Sequence, residues 1–93
     1  MIAGREAIIV DGVRVRLKLE NRADAFALVE RLREQEDAFA IESRSGACKV
    51  DAKSLLGVIY TMLEFLDGIY LINETHAGVI PACVNSFLAV AAS

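Results

Sequence analysis

Val13-Arg14-Val15-Arg16-Leu17-Lys18-Leu19 alternates apolar and basic residues without a break. Successive side chains of a strand point to opposite faces, so this stretch reads as a half-buried strand with one wet face. A chain that contains it is not an all-helical bundle. Upstream, Ala7-Ile8-Ile9-Val10 is followed by Asp11-Gly12. Asp-Gly between two strand-like runs is a hairpin signal. Residues 6–10 are then an extra edge strand, or else the start of one longer, bulged strand.

Downstream, the period changes from two to 3.6. Ala25, Leu28, Val29 and Leu32 fall on one face of a helix opened by Asn21, with Phe26 at its margin. Asn is a favoured N-cap, and Asp24 lies in the first turn, where negative charge is stabilised. Residues 38–43 and 47–51 read as two strands around a Ser45-Gly46 turn, which makes a hairpin. Asp51-Ala52-Lys53-Ser54 leads into a second helix. Leu55, Val58, Ile59, Met62 and Leu66 share one stripe of it, and Leu56, Tyr60 and Leu63 make another side apolar. Gly57 near its start weakens the helix by ~1 kcal/mol relative to Ala, so something must require it. Asp67-Gly68 ends the helix, and residues 69–72 form a short apolar strand. Pro81 is expected in the first turn of a last helix, with Ile80, Cys83, Val84, Phe87 and Ala91 on its apolar face.

The order is β-α-β-β-α-β-α, with an added N-terminal strand in one reading. Each helix has an apolar face and each strand is short. The expected fold is α/β (α+β): two layers, one antiparallel sheet of four or five strands with three helices on one face. Residues 1–12 are an extension or extra edge strand, and residues 13–93 the domain.

The chain has 93 residues and a hydrophobic fraction of 55%, enough for one domain and too apolar for a disordered tail. A formal charge of -3 leaves no electrostatic footprint for nucleic acid. No apolar run is long enough for a membrane span, and no basic region with an apolar core marks a signal peptide. Two Cys are too few for a disulfide framework, so free thiols in a cytoplasmic protein are expected. No metal, cofactor or enzymatic activity is expected. His76, Cys48 and Cys83 match no zinc spacing. His76 reads as a solvated loop residue, Cys48 as a strand residue and Cys83 as core. The carboxylates are spaced like a solvated helix face, with no acid–base pair.

Ser54 has two readings. The first N–H groups of a helix lack internal partners and favour an anion, so a phosphoryl group on Ser54 would be accommodated there beside Lys53 and would be repelled by Asp51. Alternatively Ser54 only caps the helix. The doubly apolar helix behind it also has two readings. The last helix or the N-terminal extension covers its outer side, or a partner does.

Val50-Asp51-Ala52-Lys53-Ser54-Leu55-Leu56-Gly57-Val58 resembles the regulatory-serine motif of the HPr family, the phosphocarriers of the bacterial sugar phosphotransferase system. The resemblance runs from about Val13 to about Leu88 and implies the family's open-faced two-layer sandwich, an antiparallel four-stranded sheet under three helices. It places Asn21 at the position of the family's catalytic His, Ala23 at that of its Arg and Asp24 at that of its Pro. Asn has no nucleophilic ring nitrogen, Ala23 lacks the guanidinium and Asp24 adds negative charge. The chain is therefore expected not to carry phosphohistidine, and no residue is assigned a catalytic role. The surroundings of Ser54 do match. The resemblance implies a regulatory phosphorylation site at Ser54 and partner-binding residues Lys53, Leu55, Leu56 and Ile59. It implies protein partners of the kind HPr uses, an HPr kinase/phosphorylase and a catabolite-control regulator, with no nucleic acid and no membrane. The alternative is an HPr-fold scaffold or dimerisation module with neither phosphosite active, which leaves a homodimer open.

Overall fold

The structure is a computed structural model and describes residues 7–9 and 14–89. Its elements in chain order are strand β1 (Ala7–Ile9), strand β2 (Arg14–Leu17), helix α1 (Arg22–Arg33), strands β3 (Phe39–Ser43) and β4 (Lys49–Asp51), helix α2 (Leu55–Glu64), strands β5 (Ile69–Asn73) and β6 (Val79–Pro81), and a 3-10 helix (Ala82–Phe87).

The main sheet has four strands in the order β2-β5-β3-β4, with every neighbouring pair antiparallel. The β3–β4 hairpin is local, but β5 returns after α2 to lie between β2 and β3. Those two strands are therefore parallel to each other and separated by an antiparallel third. The period-two pattern sets the face of each strand. Val15, Leu71, Ile41 and Val50 stand opposite one another in a continuous row across all four strands. Val15, Leu71 and Ile41 of that row are buried, and Val50 packs against the core. Leu17, Ile69 and Phe39 add to the same face. The other face carries Arg14, Arg16, Tyr70, Glu42 and Lys49, with the Arg14 guanidinium 2.6 Å from Glu42 and 4.1 Å from the Tyr70 ring centroid.

The helices cover the apolar face. Ala25, Leu28, Val29 and Leu32 of α1 are buried, as the spacing predicts. Each fully buried Leu or Val contributes about 1.5–3 kcal/mol over leaving it in water. Val58 from α2 and Val84 and Phe87 from the 3-10 helix complete the core. Phe87 and Ala89 then lie along the outer edge of β2: Lys18 N–H donates to the Phe87 carbonyl at 2.7 Å, and Ala89 N–H to the Arg16 carbonyl at 2.9 Å. That contact covers a strand edge that would otherwise be open to another chain.

The architecture is the expected antiparallel four-stranded sheet with three helices in a second layer. Four details differ from the sequence reading. First, the N-terminal strand exists but pairs with β6 in a separate two-stranded sheet, and not with β2. The Asp11-Gly12 hairpin signal lies outside the described residues. β6 went unread because three residues ending in Pro carry too little pattern; Pro81 is tolerated there as a terminal strand residue. Second, Pro81 precedes the last helix and is not in its first turn, and Ile80, expected on the helical face, is a fully buried strand residue. Third, the last helix is 3-10, so its buried residues, Val84 and Phe87, recur every third position. Cys83 falls off that stripe and is exposed, which corrects its reading as core. Ala91 lies outside the described residues. Fourth, Phe26 is exposed and not at the edge of the core, and Leu66, expected on the inner stripe of α2, lies beyond the end of that helix and is exposed.

Candidate functional site

Two helix starts carry the residues singled out by sequence, and they differ in chemistry. At α1, Asn21 has an extended backbone and its Oδ1 accepts the Asp24 N–H at 2.9 Å, an N-cap as expected. Asp24 reaches back, and its Oδ2 accepts the Glu20 N–H at 2.8 Å. This reciprocal arrangement resembles a capping box. The dipole at this end already faces a carboxylate of the chain itself. Arg22 and Ala23 are exposed.

At α2, Ser54 is the N-cap, and its Oγ accepts the Gly57 N–H at 3.3 Å. No acidic residue lies in the first turn. Asp51, the last residue of β4, accepts the Lys53 N–H on its Oδ1 at 2.8 Å, and its carbonyl accepts the Ser54 N–H at 3.0 Å. These two bonds fold the strand end into the helix start. Ser54 is half-buried, so the hydroxyl is neither sealed in the core nor on a free tail.

Gly57 has the reason its helix position demanded. A Cβ there would stand 3.2 Å from Val50 Cβ and 3.5 Å from Ser54 Oγ. The first turn of α2 rests directly on β4, and a side chain would prise them apart. Thr61, buried in the same helix, donates its hydroxyl to the Val58 carbonyl at 2.9 Å.

Lys53 is not placed as the expected neighbour of a phosphate on Ser54. Its ammonium donates to the Gln35 carbonyl at 2.7 Å, tying the α2 start to the end of α1. The guanidinium that borders this region is that of Arg33, whose Nε donates to the Lys53 carbonyl at 3.0 Å. Sequence reading missed Arg33 because it looked like one more charge on a solvated helix face, and only helix packing brings it to Lys53. Leu55 and Ile59 are half-buried against the core, whereas Leu56 is 81% exposed. Tyr60, Leu63 and Leu66 are exposed too, and the Tyr60 ring meets Phe65 edge-on at 6.2 Å between centroids. Ser54 thus heads a helix whose outward side is apolar from Leu56 to Leu63 and ends in exposed Glu64. Among the described residues, nothing covers Leu56, Tyr60 or Leu63.

The remaining candidates do not converge with either start. His76 is exposed, with Nδ1 3.0 Å from Asp37 Oδ2, in a loop organised by buried Asn73. Cys48 is half-buried and free, beside the hairpin turn. Cys83 is free and exposed; partial desolvation of its thiol raises its pKa, and Arg31 opposes the rise. Among the described residues, no three His, Cys, Asp or Glu side chains are grouped to hold a metal ion, and no helix is long and apolar enough to cross a membrane. Comparison with protein-family models, curated proteins and solved structures finds no match.

Proposed function

We propose that this chain is an HPr-like regulatory module of the bacterial cytoplasm. It acts by binding proteins, does not carry phosphohistidine, and is switched by phosphorylation of Ser54. The observation that carries the reading is the contrast between the two helix starts. At α1 Asn21 has no nucleophilic ring nitrogen and its Oδ1 is used as a cap, while the Asp24 carboxylate accepts the Glu20 N–H and puts negative charge where a phosphate would sit. At α2 there is a half-buried hydroxyl, no first-turn acid, and an exposed apolar side two residues further on. Leaving aside β1 and β6, which form their own sheet, the order β2-α1-β3-β4-α2-β5 and a last 3-10 helix follows the order that the resemblance implies.

In this reading an HPr kinase/phosphorylase joins Ser54 Oγ to the γ-phosphorus of ATP. The bond to the bridging oxygen breaks, ADP leaves, and the hydroxyl proton passes to a base of the kinase. The phosphate accepts first-turn N–H groups of α2, which replaces the weak Ser54 cap by a charge-assisted one. A catabolite-control regulator would then read the phosphate together with Leu56 and the half-buried Lys53, Leu55 and Ile59 beside it.

The test is to treat the full chain with ATP, Mg²⁺ and HPr kinase and map the product by mass spectrometry. One added phosphoryl group on Ser54, absent in Ser54→Ala, is expected. No label, or label elsewhere, removes the switch. A parallel incubation with enzyme I and phosphoenolpyruvate is expected to give no acid-labile phosphate. If it does, the chain is a carrier after all.

A further inference from the structure

We infer that the outer side of α2 is the contact surface for a second copy of this chain, paired antiparallel across a two-fold axis near Tyr60. The argument does not depend on modification of Ser54. Leu56, Tyr60 and Leu63 lie at i, i+4 and i+7 of one helix, so they form a single stripe, and all three are exposed. From Leu55 to Leu63 the helix has no charged residue, and reversal sets exposed Glu64 of one copy against Leu55 of the other, so no like charges meet along the stripe. A two-fold contact requires a patch that maps onto itself when reversed. Leu56 is four residues before Tyr60 and Leu63 is three after it, so reversal sets Leu56 of one copy against Leu63 of the other. Tyr60 falls beside the axis.

The patch extends sideways onto α1. Phe26 is 54% exposed and lies seven residues before Arg33, on the same stripe of α1. Arg33 reaches the Lys53 carbonyl, so this stripe is the flank of α1 that faces α2. Beyond the helix end, Leu66 is 85% exposed. With ~200 Å² for a large apolar side chain, these five residues expose about 600 Å² per copy. A symmetric pair that covered all five on both copies would bury at most about 1,200 Å², at the lower end of the range of stable specific interfaces. A patch of that size is at the upper limit of what monomers leave in water.

The experiment is sedimentation equilibrium of the full chain over a wide concentration range, with circular dichroism on each variant. The chain weighs 10.1 kDa, and a concentration-dependent rise to about twice that mass is expected. Leu56→Glu or Leu63→Lys alone is expected to weaken association on the order of a hundredfold, because each change occurs twice across the axis. Leu56→Glu combined with Leu63→Lys restores much of it, since the antiparallel register places the new charges opposite each other. In a background of Cys48→Ser and Cys83→Ser, Tyr60→Cys is expected to form a disulfide-linked dimer on oxidation, whereas Glu36→Cys does not. A monomer at every concentration overturns the proposal. So does a dimer indifferent to both single changes, or single changes that the double variant fails to rescue. None of these readouts involves Ser54, so kinase labelling of the Leu63→Lys variant, nine residues from Ser54, reports on the switch separately.

Discussion

Asn73 is the buried polar residue on which one end of the molecule depends. It is 2% exposed, and its amide makes four hydrogen bonds. Nδ2 donates to Asp37 Oδ2 at 2.9 Å and to the Val79 carbonyl at 2.8 Å. Oδ1 accepts the N–H groups of Thr75 at 2.9 Å and His76 at 2.8 Å. These bonds bind the end of β5 to β6 and to the connection after α1. A net worth of about 0.5–1.5 kcal/mol per bond would give Asn73→Ala a cost of about 2–6 kcal/mol. Residues 74–77 are exposed, so water replaces the partners of Thr75 and His76, and the lower half of that range, about 2–4 kcal/mol, is expected. Against a total stability of roughly 5–15 kcal/mol this is a large fraction. Thermal unfolding followed by circular dichroism should show a fall in Tm of about 10–25 °C.

Asn73→Asp adds a signature in pH. Its second oxygen would face the Asp37 carboxylate and the Val79 carbonyl, so the folded state raises its pKa above the unfolded value. The folded state then binds more protons than the unfolded one, and stability falls as pH rises through the unfolded and then the folded pKa. The penalty relative to wild type is smallest below about pH 3.9, where the neutral acid stands in for the amide, and grows above it. A loss of less than ~1 kcal/mol in Asn73→Ala would refute the reasoning, given the bond energies used. A pH-independent penalty in Asn73→Asp would refute it as well.

Gly57→Ala sets a helix gain of ~1 kcal/mol against a 3.2 Å approach to the Cβ of Val50, an atom that no rotamer change can move. The substitution is expected to destabilise the wild type and to be less harmful when combined with Val50→Gly, which removes that Cβ; a double-mutant cycle in urea reads the coupling, and simple additivity would mean that packing on β4 is not what selects glycine. Lys49 is 2.8 Å from Glu74, and their hydrogen bond, followed by their charge attraction, holds the ammonium above its ordinary 10.5. The pair's contribution to stability is complete below 10.5 and is lost as pH rises through the higher folded value. Amine acylation at mildly alkaline pH, read by mass spectrometry, should therefore be faster at Lys49 in Glu74→Gln than in the wild type, and an unchanged rate would discount the pair.

The sequence by itself determined every element whose information is local. Alternation in residues 13–19 fixed which side of β2 is wet, and the apolar repeat from Ala25 to Leu32 fixed the buried face of α1. Asn21 and Ser54 announced their helices because a capping bond spans only three residues. Gly57 was flagged as an exception, but the cause, Val50 beneath it, is a packing fact. Strand order belonged to the tertiary structure. No local signal says that β5 enters between β2 and β3, because that choice depends on how two helices cross one sheet. The β1–β6 pairing and the 3-10 geometry that exposes Cys83 were equally hidden, since three-residue strands and one short apolar run do not distinguish periods of three and 3.6. At the candidate site, sequence supplied Ser54 and its apolar neighbours. Only packing turned the ammonium of Lys53 to Gln35, brought Arg33 to the start of α2, and left Leu56, Tyr60 and Leu63 facing water. A helix that is apolar on two sides can bury only the one that meets the sheet. Which side remains outside is decided by the layer it rests on.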